Sequence, residues 1–221
     1  MNIHSFDYDK KEIKKEHKGG SDPQGFDRIV REVFAPIYPV IAQQIKEKTG
    51  VVSGRCLDAG CGTGALGRAM ANITELDITF FDQSDEMLNL VKNYAKEETL
   101  PNKNSFLLGD IHDIDIKDNY YDLVISRGSS LFWDDLQKAY GEILRVLKVG
   151  GHAYIGGGFG TKELREEIKS QMSKDKPNWG SSFKERAKAQ QEALPQILNS
   201  LKPAQHTIID DDSGWWLFIT K

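Results

Sequence analysis

The stretch from Cys56 to Gly67, CLDAGCGTGALG, places Asp58, Gly60, Gly62 and Gly64 at alternate positions directly after a short apolar run. A strand that ends in such a loop lets the backbone come close to a bound nucleotide, because glycine carries no Cβ. Two spellings overlap in it. Gly62, Gly64 and Gly67 read G-x-G-x-x-G, the pattern that seats a pyrophosphate at a helix N-terminus. Asp58, Gly60, Gly62 and Gly64 read D-x-G-x-G-x-G, which puts a carboxylate at the end of the strand. That carboxylate would repel a pyrophosphate and would suit an ammonium group. Two further acids sit at comparable places. Asp82 ends the next apolar run, about twenty residues past the loop, where a carboxylate accepts ribose hydroxyls. Asp110 closes LLGDIH, where it can accept a hydrogen bond from an adenine amine while the Ile111 amide faces a ring nitrogen.

Acids at successive strand ends need a regular alternation of strands and helices to hold them. RCLDA, DITFFD, NSFLLGD, YDLVISR and HAYIGG read as five strands, the fourth apolar enough to be buried on both faces. Ala65 to Ala71 reads as a helix, and Ser84 caps another that runs to about Glu98. Asp134 to Leu147 is amphipathic, with a glycine cap expected at Gly150 and Gly151. QHTIID and WWLFIT flank the turn DDSG and should pair as an antiparallel hairpin. The expected fold is α/β: a Rossmann-like, doubly wound, mostly parallel seven-stranded sheet with an antiparallel C-terminal hairpin strand. Ligands bind such sheets beyond the carboxyl ends of the strands.

Residues 161–202 break this rhythm with helices only. Thr161 caps the first, Ser182 and Glu185 form a capping box for the next, and Pro195 opens a short third. Ile29, Val33, Ile37, Ile41 and Ile45 mark a helical stripe within 23–50, with a break expected between Ala35 and Pro39 at the two prolines. Residues 1–22 are polar and should form a flexible lead-in to a single domain spanning 23–221.

The 221 residues carry a net charge of −4, which argues against a broad nucleic-acid surface. No apolar run approaches the roughly 18 residues that would span a membrane. The polar N-terminus resembles no targeting signal, and a cytoplasmic protein is expected. Cys56 and Cys61 are the two cysteines, too few for a zinc site, and are expected to be reduced.

The order LDAGCGTG, FFDQS, GDIHD, YDLVISR and LRVLKVGG resembles the class I S-adenosylmethionine-dependent methyltransferases over about residues 51–156. Within them it is most similar to the small-molecule branch, near the ubiquinone and menaquinone C-methyltransferase type. The resemblance implies S-adenosyl-L-methionine as cofactor and direct in-line displacement onto a small acceptor. Gly60, Cys61, Gly62 and Gly64 would line the methionine part, and Asp58 would hold its amino end. Asp82 would take the ribose hydroxyls, with Gln83 and Met87 beside ribose and adenine. Asp110 and Ile111 would read the adenine edge, and His112 could cover the ring. Ser126 and Arg127 end the fourth strand, where the transferred methyl should point. Arg127 could hold an acidic group of the substrate. Residues 23–50 would fold over the cofactor as a lid. Tyr38, Phe34, Phe132 and Trp133 offer aromatic faces to the acceptor. Gly156 to Gly160, with Gly157 the middle of three consecutive glycines, could clear space or form an anion-binding nest. A nicotinamide-dependent reductase using the overlapping G-x-G-x-x-G, and a non-catalytic S-adenosylmethionine binder, remain as alternatives.

Overall fold

The computed structural model describes residues 22–175 and 179–221. Seven strands form one sheet: β1 (Ser53–Ala59), β2 (Glu75–Asp82), β3 (Asn104–Leu108), β4 (Tyr121–Arg127), β5 (Leu147–Gly158), β6 (Gln205–Asp211) and β7 (Gly214–Thr220). Their spatial order is β3-β2-β1-β4-β5-β7-β6. The first five run parallel, while β7 pairs antiparallel with both β5 and β6. The order reverses between β1 and β4, and a doubly wound sheet opens its ligand crevice at that point. Asp58 of β1 registers with Ile125 of β4, so the end of the first strand lies beside Ser126 and Arg127.

Successive residues of each strand face opposite layers. Cys56, Ile78, Phe80, Leu123, Ile125 and Trp216 belong to one core, roofed by α2 (Ile37–Thr49), α3 (Ala65–Ala71) and α4 (Asp85–Glu97). Leu57, Phe81, Val124, Ile155 and Leu217 belong to the other, roofed by α5 (Leu136–Val146) and α7 (Ser181–Leu201). Two of the helical caps are as expected. Ser84 Oγ accepts from the Met87 amide, and Thr161 Oγ1 accepts from the Leu164 amide at the start of α6 (Lys162–Asp175).

Three boundaries differ from expectation, and the N-terminal break is not among them: α1 (Pro23–Ile29) passes into a π-helical stretch, Val30–Phe34, and a turn at Ala35 and Pro36, inside the expected segment, separates it from α2. Pro39 sits in the first turn of α2, where an amide needs no helical acceptor. The helix α5 ends at Val146, and β5 starts at Leu147. Gly150, with φ 78°, bends the strand instead of capping the helix, and the β4–β5 register shifts between Tyr121 and Leu123. Gly180 takes the cap position of α7, leaving Ser182 inside the helix. Pro195 also lies within α7, because buried Leu194, Ile197 and Leu198 hold its last turns against the sheet. Residues 1–21 of the expected lead-in lie outside the described residues. Asp22 caps α1 by accepting from the Gln24 amide.

Candidate active site

The glycine loop is bound chiefly to its own protein. Gly60, Gly62 and Gly64 have φ of 67°, 54° and 70°, a region that side chains avoid. A Cβ on Gly60 would lie 2.5 Å from Ser129 Cβ, and one on Gly64 2.7 Å from Val91 Cγ1. Close packing within the chain therefore demands these glycines, before any ligand does. The loop amides are engaged as well. Gly60 and Cys61 donate to the Phe81 carbonyl at 2.8 and 2.9 Å, Gly62 to Asp82 Oδ2 at 2.8 Å, and Gly64 to the Cys61 carbonyl at 2.8 Å. A pyrophosphate site presents such amides to the ligand, and here four are already committed.

Three acids stand at the ends of β1, β2 and β3. Asp58 is 2% exposed and accepts from the Gly67 amide at 2.9 Å, which draws α3 onto the strand. Burial pushes its carboxyl up to about 7, the Gly67 bond opposing and the Asp82 charge adding to the rise. Asp82 joins loop to helix: Oδ2 holds Gly62 and Oδ1 accepts from Ser84 at 2.9 Å. Gln83 is exposed and Met87 is buried in α4. Asp110 Oδ1 takes the His112 amide at 3.0 Å and Nδ1 of the same residue at 2.5 Å. His112 Nε2 accepts from the Asp135 amide at 3.2 Å, so the ring proton resides on Nδ1. His112 thus ties the loop after β3 to the N-cap of α5, and Ile111 packs into the core beneath it. Burial raises both thiols, Cys56 and Cys61, which argues against a thiolate nucleophile.

The N-terminal helix reaches this loop. The Phe26 ring would lie 3.2 Å from a Cβ placed on Gly62. Its neighbour Asp27 is buried, and both carboxylate oxygens take the Tyr94 hydroxyl of α4 at 2.8 Å, with Arg31 Nε at 2.9 Å.

The end of β4 is braced by hydroxyls. Ser129 Oγ donates to the Ala59 carbonyl at 3.0 Å, spending its one proton, so Ser126 Oγ donates in the 2.5 Å contact between the two serines. Arg127 donates from Nε to the Gly158 carbonyl at 3.0 Å, and its guanidinium lies 5.2, 5.4 and 5.6 Å from the ring centres of Phe34, Tyr38 and Phe159. Among the described residues no carboxylate pairs with it. The other aromatic candidates are elsewhere. Trp133 packs on Tyr140 of α5, and Phe132 is exposed against Phe183 and Arg186. Gly156 to Gly158 form no anion nest, because they are extended in β5 and paired with Gly214 to Trp216 of β7.

Behind Gly156 and Gly157, toward α7, lies a partly open cavity of about 120 Å³. A larger, open depression of about 460 Å³ runs between Gln44, Gly160 and the hairpin turn at Asp211 to Ser213; none of the cofactor candidates lines it.

Comparison with known proteins settles the family. A model of the methyltransferase domain matches residues 57–155. The structure of a candidate S-adenosyl-L-methionine-dependent methyltransferase from Methanococcus maripaludis is 38% identical, with a TM-score of 0.86 over 94% of this chain and 96% of that one. The chain belongs to the class I S-adenosyl-L-methionine-dependent methyltransferases. S-adenosyl-L-methionine is accordingly its cofactor. Among curated methyltransferases, a sterol 24-C-methyltransferase of Aspergillus fumigatus is 32% identical over 120 residues, which are 52% of this chain and 32% of that enzyme. The chain thus matches about a third of that relative's length. The same fold recurs in the cyclase SpnF, 21% identical with a TM-score of 0.54 over 83% of this chain and 80% of that one, so fold does not dictate reaction.

For a methyltransferase the donor set fits: carboxylates at three strand ends suit hydroxyls, an ammonium and an amine, and the engaged loop amides argue against pyrophosphate. Sequence reading missed three residues that position this site: Ser129, Gln190 and Arg145. The guanidinium of Arg145 uses all five N–H groups: three hold Asp118 and the carbonyls of Ile114 and Ile116 in the loop that carries Asp110, and two hold Glu142 of α5, which itself accepts from the Ile114 amide. Only the run LRVLKVGG marked Arg145, and nothing near Ser129 or Gln190 in sequence signals their contacts.

Proposed function

We propose that the protein transfers the methyl group of S-adenosyl-L-methionine to a small-molecule acceptor by direct in-line displacement. Asp82 holds the ribose hydroxyls, and Asp58 meets the amino end through water or backbone. Gly60, Cys61, Gly62 and Gly64 run along the methionine chain. Gln83 and Met87 flank the ribose, Asp110 and Ile111 read the adenine edge, and His112 covers it. Ser126 contacts the donor's amine, and the acceptor lies beyond Ser126 and Gly157. Residues 23–50 serve as the lid, and 161–202 as an insertion over the acceptor side. The bound donor supplies an electrophilic methyl carbon on a sulfonium. The protein's share is to align the nucleophile with it and to exclude water.

The observation that carries this reading is the committed glycine loop beside three strand-end acids, in a chain aligned over 94% of its length with the Methanococcus maripaludis structure. The sterol methyltransferase likeness adds support for a small-molecule acceptor, and it covers half of the chain. We place the protein in the cytoplasm on its two free thiols. Calorimetry tests the donor: S-adenosylhomocysteine should bind, and NADH should not. Transfer of labelled methyl to a metabolite extract, with none to total RNA or DNA, tests the acceptor class. Binding of NADH alone would sink the reading.

A further inference from the structure

The cavity behind β5 is lined by Ser130, Leu131, Gly156, Gly157 and Trp215, and is roofed by Ala187, Gln190 and Gln191 of α7. We infer that it receives the acceptor, and that it takes an uncharged group no larger than a single six-membered ring. The inference rests on the methyltransferase reading and sharpens it.

Size is the first argument. About 120 Å³ is slightly less than the roughly 150 Å³ of an apolar cavity that encloses benzene, so the part of an acceptor that enters is at most one ring and the remainder lies outside the mouth at Gly157 and Gln191. Charge is the second. None of the described lining residues is ionisable, and an ion buried without a counter-charge is strongly disfavoured. Arg127, at the end of β4, does not line the cavity and lies instead among Phe34, Tyr38 and Phe159, and Arg186 is turned onto Phe132.

The polar edge is oriented in advance. Gln190 is 5% exposed; its amide donates to the Tyr140 hydroxyl at 3.0 Å, and its carbonyl accepts from Ser130 Oγ at 3.4 Å. A primary amide has a second N–H and a second lone pair, which suit a ring bearing a hydroxyl. The cavity also adjoins the donor side, because Ser130 follows Ser129, the residue bonded to Ala59 and packed against Gly60.

Gly157 shows that the space is built. A Cβ on Gly156 would lie 2.2 Å from the Trp215 carbonyl, and one on Gly158 2.1 Å from the Ser213 carbonyl, so strand pairing forces both glycines. A Cβ on Gly157 would meet nothing within 4 Å, and its backbone is not left-handed. Gly157 is exposed and lines the mouth of the cavity, so a side chain there would narrow it.

The test titrates phenol into the full chain saturated with S-adenosylhomocysteine, read by calorimetry. Gly157→Leu and Ala187→Leu fill the cavity from its two sides. Phenol should bind the parent protein, and each variant should bind it about tenfold more weakly or worse. Affinity for S-adenosylhomocysteine should stay within about twofold. Benzoate should bind the parent about tenfold more weakly than phenol. If Gly157→Leu does not fold, Gly157→Ala should still weaken phenol measurably. Phenol affinity equal in parent and variants, or no phenol binding, with S-adenosylhomocysteine still bound, overturns the cavity assignment alone. Equal binding of benzoate overturns its charge class. Failure of the parent to bind S-adenosylhomocysteine overturns the methyltransferase reading beneath it.

Discussion

Asp58 couples the buried loop to pH. The folded chain holds a proton on this carboxyl up to about 7, whereas its ordinary value is 3.8. Its contribution to stability is therefore complete below the ordinary value and is lost as pH rises through about 7. A donor ammonium beside it would favour the carboxylate, so binding should expel that proton. Affinity for S-adenosylhomocysteine should then rise about tenfold from about pH 6 to about pH 8, and Asp58→Asn should flatten the profile. Calorimetry across that range checks it, and a parallel profile in the variant would count against Asp58. Asp82→Ala should weaken donor binding by about tenfold or more, since it removes charge-assisted bonds to the ribose and the acceptor of Gly62 and Ser84. The places of both acids were legible because each follows from its position at the end of an apolar run. Ser129, Arg145 and Gln190 were not, because their partners Ala59, Ile116 and Tyr140 lie 70, 29 and 50 residues away.

The elements were legible where one period held and hidden where tertiary packing overrode it. YDLVISR became β4 with its expected ends, while the proline at 195, a sound helix-start signal, sits inside α7. Gly150 misled for a related reason: glycine ends helices and also bends strands, and only the pairing of β4 with β5 distinguishes the two. Arg145 works at this scale, holding the loop after β3 against α5. Arg145→Ala should raise amide hydrogen exchange across residues 110–118 and weaken donor binding several-fold, although Arg145 is assigned no contact with the donor; unchanged exchange would refute the brace. Neighbouring glycines of β5 should part company. Gly156→Ala forces a Cβ into the backbone of β7 and should cost about 1–3 kcal/mol, a fall of about 3–10 °C in Tm. Gly157→Ala should leave Tm within about 2 °C of the parent.

Across the whole molecule, the fold class was readable from the strand–helix rhythm, and the donor from three acids in one half of the sheet. The cavity proposed for the acceptor was not, because it forms only where residues 130, 157, 190 and 215 converge from four separate elements. The family match ends at residue 155, near the end of β5, so the helices and hairpin that complete the cavity fall beyond it. The helix that carries Phe26 across Gly62 adds a matter of timing. It is fastened to α4 by a tyrosine hydroxyl on a buried carboxylate. On the proposed lid role of residues 23–50, spent donor should leave only after that fastening opens. Departure, and not the displacement itself, should then limit turnover. A rapid-mixing experiment should show a burst of about one methyl per active site before a slower steady rate. Tyr94→Phe should shrink the burst and quicken the steady rate, trading the residence time of the donor for speed.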